Sequence, residues 1–163
     1  MINLNISNRR KGVTSVEVVI GVTIAGVVLV FAMSTVTQFI NSARDVLAKT
    51  QALYLVEEGL ELVRFVRDGS WSSISVLPLN TTRYLSFNPS TITITTTPET
   101  INGFTRSFTV QNVYRNSTTD DIVASTTGGS VADTGAKYVM MTVSWGSPVK
   151  SVSMTTILAD IES

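Results

Sequence analysis

The stretch Arg9-Arg10-Lys11-Gly12-Val13-Thr14-Ser15-Val16-Glu17 decides the fold, because an almost unbroken apolar run follows it. Three cations stop at Gly12, a single carboxylate follows at Glu17, and no further ionisable residue occurs until Arg44. A charged side chain at the centre of a bilayer costs about 2.5–3.5 kcal/mol on insertion scales, and an ionisable residue within an apolar span is by default a functional hypothesis. Glu17 is therefore the first candidate functional residue.

The apolar run predicts one long helix with two parts, since no proline occurs between Val13 and Arg67. Residues 13–40 are apolar enough to span a bilayer, which takes about 20 residues, and in lipid a helix satisfies the backbone. Over residues 41–68 apolar side chains recur at helical spacing, so this part is predicted to be amphipathic and to pack on a globular domain. The predicted apolar stripe consists of Val46, Thr50, Leu53, Val56, Leu60 and Val63.

Residues 69–163 are predicted to form a β-sheet domain, because Thr, Ser, Asn and Gly dominate beyond Trp71 and alternation of period two replaces helical spacing. Strands are predicted over 84–87, 91–95, 104–114, 139–145 and 152–158, with Gly146-Ser147-Pro148 as a hairpin loop. On one of these strands Phe104, Phe108, Val110 and Tyr114 share a face, which Arg106 interrupts. The expected fold is α+β: a long N-terminal helix packed on a four- or five-stranded antiparallel sheet.

Residues 116–135 are predicted to be irregular and contain three acids, Asp120, Asp121 and Asp133. One interpretation is a surface loop without a ligand. The other is a calcium site, because hard cations take oxygen ligands from acidic loops. The spacing of the three acids matches no recognisable calcium loop.

The composition excludes several classes of chemistry. The chain has 163 residues with 12 basic and 12 acidic side chains, and it contains neither Cys nor His. Disulfides, zinc sites of the Cys/His kind, His-based triads and Cys nucleophiles are therefore excluded. We find no nucleophile motif and no glycine-rich phosphate loop, so neither an enzyme nor a cofactor is expected. Without residues 1–12 the net charge is about −3, which does not predict a nucleic-acid partner.

The arrangement of Lys11-Gly12, then Val13-Thr14-Ser15-Val16-Glu17, then the apolar run resembles the prepilin signature of type IV pilins and pseudopilins. The resemblance implies that residues 1–12 are a basic leader, cleaved between Gly12 and Val13 by a prepilin peptidase. It also implies possible methylation of the new Val13 amine, although the family usually has Phe or Met at this position. Arg9, Arg10 and Lys11 would hold the N-terminus in the cytoplasm and send the C-terminal domain outside.

In this family Glu17, the fifth residue after cleavage, would pair with the Val13 amine of a neighbouring subunit and so set the register of a filament. A buried charge is expensive alone and costs far less when it is paired. The alternative is that Glu17 lies at the interface of a plain single-span protein and extends its carboxylate to the lipid headgroups.

The resemblance implies a structural subunit first made in the cell membrane and then assembled into an extracellular or periplasmic filament. The implied partners are other pilin subunits, the prepilin peptidase, membrane lipid, an inner-membrane platform protein and, indirectly, an assembly ATPase. A minor pilin is the first expectation, since 54–61 and 67–71 also look like the helix end of minor pilins. A pseudopilin of a type II secretion or DNA-uptake system is second, and a major pilin is third. A rival is a non-polymerising single-span protein with an outer β-domain, which would keep residues 1–12.

Overall fold

The structure is a computed structural model that describes residue 12 and residues 14–88 and 91–161. The chain divides into two compact units, one ending at Val46 and the other beginning at Leu47. Helix α1, Ser15–Gly69, contributes to both units. In the first unit, every helical residue from 15 to 46 is exposed.

The second unit adds a short helix and seven strands to the C-terminal part of α1. In chain order they are α2 (Ser72–Ser75), β1 (Tyr84–Asn88), β2 (Thr91–Thr95), β3 (Glu99–Ile101), β4 (Phe104–Asn116), β5 (Ile122–Val123), β6 (Ser130–Trp145) and β7 (Lys150–Ala159). Strands β1 and β2 form a separate hairpin. The main sheet has the order β3-β4-β6-β7, with β5 also paired to β4, and all its pairs are antiparallel. The predicted α+β fold, with a long apolar N-terminal helix and an antiparallel sheet, is confirmed.

The core lies between one stripe of α1 and one face of the main sheet. The helix buries Ala52, Val56, Gly59, Leu60 and Val63. The sheet contributes Phe104, Phe108, Val110, Val139, Met141, Val143 and Leu158, and Ile74 and Leu85 complete the cluster. The predicted stripe is thus right at Val56, Leu60 and Val63. Leu53 is half-buried, and the stripe is wrong at Thr50, which is exposed, and at Val46, which is 63% exposed and belongs to the first unit.

Gly59 allows α1 to lie close to the sheet. A β-carbon at this position would stand 2.9 Å from Cδ of Arg106 and 2.9 Å from both Sδ and Cε of Met141. Real β-carbons essentially never approach other atoms so closely, so a larger residue would force the helix and strands apart. The missing side chain therefore sets the spacing at which Val56, Leu60 and Val63 reach the sheet.

Two tight turns determine the register of the hairpins. The predicted loop after β6 is confirmed, and Gly146 in it has a φ of 75°. Between β3 and β4 the chain turns at Asn102-Gly103, with φ values of 51° and 84°. Positive φ at both central residues is the conformation that an Asn-Gly pair favours in a two-residue hairpin. Strand β3 and this turn were absent from the sequence-based assignment.

Two expectations about β4 and β6 need correction. A β-bulge between Asn112 and Val113 shifts the alternation, so Val113 is buried in place of Tyr114, which is half-buried. The segment 116–135 is not irregular throughout, because β5 lies within it and β6 already begins at Ser130, opposite Asn116 of β4. Residues 130–133 are paired with β4, although their own sequence has no apolar alternation.

Candidate functional site

The predicted processing site lies at the edge of the described residues. Arg9, Arg10, Lys11 and Val13 are outside the part of the chain that the structure describes. Gly12 is described and exposed, and no atom lies within 4 Å of the position that a β-carbon would take there. The described half of the predicted scissile bond is thus accessible, and cleavage there stays a prediction.

Glu17 lies in the first turn of α1. The carbonyl oxygen of Thr14 accepts hydrogen bonds from the backbone N–H groups of Glu17 (3.0 Å) and Val18 (3.3 Å), which starts the helix. A carboxylate in a first turn is favourable because it faces the positive end of the helix dipole, an effect of about 0.3–1 kcal/mol. Thr14 and Glu17 also have the three-residue spacing of a capping box, a signal that sequence analysis overlooked. An acid at position 17 therefore suits the start of a helix, in addition to its predicted role in assembly.

The Glu17 carboxylate is exposed and forms no ion pair with another described residue. Its acceptor oxygens thus remain open to a group from outside the described chain. A cation delivered to the helix start could bind there without displacing a neighbour. This geometry is compatible both with a partner's amine and with contact to lipid headgroups.

The helix beyond Glu17 presents apolar side chains in every direction. By length and composition, α1 is the one helix among the described residues that could cross a membrane, and no residue of its apolar window is buried. The exposed side chains between the first turn and Ile40 include Val18, Ile20, Ile24, Leu29, Phe31, Met33 and Phe39. A contiguous apolar surface of this extent marks contact with a membrane or another protein. This segment is therefore a candidate membrane span.

The hydroxyl groups in this segment are satisfied within the helix. Thr23 donates to the carbonyl of Val19 (2.8 Å), and Ser34 donates to that of Val30 (3.0 Å). Thr35 and Thr37 do the same to the carbonyls four residues earlier, at 2.9 and 3.0 Å. None of these side chains therefore needs water or a neighbouring helix as a hydrogen-bond acceptor.

Gly21 and Gly26 leave the helix surface open, because no atom lies within 4 Å of a β-carbon position at either. Around Gly26 there is a shallow groove of about 350 Å³ between Val22, Val27, Val30 and Phe31. Small residues of this kind allow close approach of a second helix in a membrane.

Two of the three acids of the predicted calcium site, Asp120 and Asp133, lie beside an arginine, and Asp121 takes part through its backbone carbonyl, which accepts from the N–H of Asn116. Asp133 Oδ2 accepts a hydrogen bond from Arg115 Nε at 2.7 Å, and Asp120 Oδ1 lies 3.9 Å from the same nitrogen. This hydrogen bond holds the pKa of Asp133 below its ordinary value. Partial burial acts in the opposite direction and raises the pKa, whereas the backbone N–H of Gly135 and the positive charge of Lys137 lower it further. Within 14–88 and 91–161 no three acidic side chains are grouped to hold a metal ion. The geometry favours an ion pair over calcium binding.

Arg106, which interrupts the apolar face of β4, is buried among charged partners. Its side chain is 2% exposed and pairs with Glu99 of β3 and Glu58 of α1. Its partners lie on two other elements, so only the folded arrangement reveals the cluster.

No family model, no curated protein and no solved structure matches this chain.

Proposed function

We propose that this chain is a structural subunit of a type IV pilus-like filament, with the role of a minor pilin. The observation that carries the proposal is the division of α1, whose residues up to Val46 are all exposed while its later turns are buried on a sheet. A helix with one apolar exposed part and one part fixed to a globular unit suits a subunit that is anchored in lipid and then packs into a helical bundle. This geometry supports a filament subunit, and we can identify no enzymatic chemistry that would require the same arrangement.

The start of α1 supports the proposed pairing between Glu17 and the N-terminal amine of a neighbouring subunit. Cleavage after Gly12 would create an amine at Val13, with an ordinary pKa of about 7.7–8.0 and hence a positive charge at neutral pH. Glu17, exposed in the first turn, would accept that amine from a neighbouring subunit. Because the surrounding side chains are apolar, the two charges would lie in a dry bundle where each needs the other. The pair can form at one axial stagger only, so it would set the filament register.

The proposed orientation in the membrane follows from the basic residues that precede α1. The cations Arg9, Arg10 and Lys11 would keep the N-terminus cytoplasmic, so the sheet domain would lie outside the membrane and later on the filament surface. The proposed partners are the prepilin peptidase, an inner-membrane platform protein driven by an assembly ATPase, and other pilin subunits. The likeness of 54–61 and 67–71 to the helix ends of minor pilins supports the minor role.

The mass of the native protein tests the proposal. Chain extracted from membranes and from sheared surface filaments is measured intact by mass spectrometry. We expect a polypeptide that begins at Val13, with or without a methyl group, in both fractions. Substitution of Gly12 by a bulky residue should leave the full-length precursor in the membrane and remove it from filaments. A native chain that retains residues 1–12 and never enters filaments would identify a tethered single-span protein instead.

A further inference from the structure

Arg83 is held at the junction between the main sheet and the β1–β2 hairpin. Its backbone N–H donates to the carbonyl of Phe108 and its carbonyl accepts from the N–H of Phe108, both at 2.8 Å. Three residues earlier, the N–H of Asn80 donates to the carbonyl of Val110 at 2.9 Å. Phe108 and Val110 are each 1% exposed, so the main chain at Arg83 is fastened to the edge of a rigid, buried strand. A side chain that starts from such a position is preorganised for binding.

The Arg83 side chain lines a cavity of about 630 Å³ that is also bounded by α1, α2 and β2. Val66, Leu77 and Ile92 give it an apolar side, while Ser73 and three threonines of the 93–96 segment make the rest of the lining polar, and the cavity is open to solvent. Its volume lies within the range of about 300–1,000 Å³ that is usual for small-ligand pockets. Arg83 is the one charged residue in the lining, which includes no carboxylate.

The guanidinium of Arg83 lacks the partners that the other arginines of the second unit have. Arg64, Arg67, Arg106 and Arg115 each form an ion pair with a carboxylate. No described acid pairs with Arg83, although its residue lines the cavity. Its Nε is buried without a hydrogen-bond acceptor, as are Nη1 of Arg106 and the hydroxyl of Thr109 elsewhere in the domain. The feature that points to a ligand is therefore the positive charge of Arg83, which no described carboxylate neutralises.

We propose that this cavity binds a small carboxylic acid with an apolar body. The planar guanidinium fork of arginine matches a carboxylate, and a single unpaired positive charge is neutralised by a monoanion. The hydrophobic part of the ligand lies on Val66, Leu77 and Ile92, and the hydroxyl of Ser73 is available to a second polar group. A dianionic phosphate suits the site less, because no second cation is present in the lining.

Binding is tested with the full processed chain in a neutral detergent and with 3-phenylpropionate as the probe. Isothermal titration measures affinity, and methyl NMR reports the location. We expect saturable binding that shifts the methyl signals of Ile92 and Ile94, which line the cavity, and leaves Ile157 of β7 unchanged. The uncharged amide of the same acid should bind at least tenfold more weakly, since it offers no charge to Arg83.

The variant Arg83→Gln should weaken binding of 3-phenylpropionate tenfold or more, and Arg64→Gln, which removes an exposed guanidinium paired with Glu61, should not. Ser73→Trp, at an exposed position of α2 in the lining, places a large side chain at the cavity and should abolish binding even if Arg83→Gln fails to fold. Absence of saturable binding to the native chain would overturn the proposal. So would equal affinity for the acid and its amide, or unchanged affinity in a folded Arg83→Gln protein.

Discussion

Glu99 and Arg106 stand directly opposite each other on the paired strands β3 and β4, and their side chains form an ion pair at the margin of the core. Glu99 Oε2 accepts from Arg106 Nη2 at 2.9 Å and from Nε at 3.0 Å. From α1, Glu58 Oε1 lies 3.3 Å from Nη1 of the same guanidinium. Arg106 is thus a buried charge that joins helix, hairpin and sheet, which explains its presence on an apolar face.

We predict that Glu99→Gln lowers the free energy of unfolding of the sheet domain by about 2–3 kcal/mol, because it leaves a buried cation with one distant partner. The matched change Glu58→Gln should cost less than about 1 kcal/mol, since Glu58 is more than half exposed and its contact is longer. Chemical unfolding followed by near-ultraviolet circular dichroism measures both. Equal losses of unfolding free energy in the two variants would contradict the prediction that Glu99 stabilises Arg106 more strongly than Glu58 does.

Gly59→Ala is predicted to destabilise the sheet domain by about 1–2 kcal/mol. Alanine favours the helix by about 1 kcal/mol, but its methyl group would overlap Arg106 Cδ, which the ion pair with Glu99 keeps in place. The control is Gly69→Ala at the end of the same helix, where nothing lies within 4 Å of the new β-carbon. That variant should unfold at the same or a higher temperature than the parent chain. A stabilising effect at both positions would show that the helix and sheet are not in close contact at Gly59.

Asp133 should make stability depend on acidity. Its pKa is lower in the folded chain, so the contribution of the Asp133–Arg115 pair is present at neutral pH and is lost as the pH falls below about 4. Asp133→Asn should therefore reduce stability at pH 7 and bring the variant and parent closer together near pH 3. Urea midpoints at the two pH values measure this difference. The exposed neighbour Asp121→Asn serves as the control, and a gap between parent and Asp133→Asn that widens at acidic pH would contradict the prediction.

Glu17→Gln separates the two roles of this residue. Glutamine keeps a side chain suited to the third position of a capping box, but it cannot neutralise an amine. We predict that leader cleavage continues while the amount of subunit in sheared filaments falls at least tenfold, measured by quantitative immunoblotting of filament and membrane fractions. Glu17→Asp keeps the charge and should retain more assembly than Glu17→Gln. Incorporation of Glu17→Gln at the parental level would leave helix capping as the role of this acid.

The sequence predicts those parts of the fold whose signal is local and periodic. The absence of proline and the apolar run give α1, and clean alternation gives β2 and the core-facing half of β6. The N-terminal half of β6 has no such pattern, because its residues are held by pairing with β4 and not by burial of one face. The bulge at Asn112 and Val113 likewise depends on the partner strand.

In the candidate site too, some features are predictable from the sequence and others depend on the folded structure. Gly12 and Glu17 are found from residue type and spacing alone, and the Asn102-Gly103 turn and the capping-box spacing could have been found in the same way. The partners of Arg106 and the cavity at Arg83 could not, since each combines elements that are distant along the chain. Long-range pairing, not composition, brings these groups together.

The internal bonds of Thr23, Ser34, Thr35 and Thr37 make the apolar part of α1 indifferent to what surrounds it. If the proposed assembly takes place, the segment would move from lipid to a bundle of sister subunits, and each of these four hydroxyls would keep its own acceptor. The transfer would break none of these four hydrogen bonds, and Glu17 would be the one charged side chain among the described residues from 14 to 40 that has to be moved.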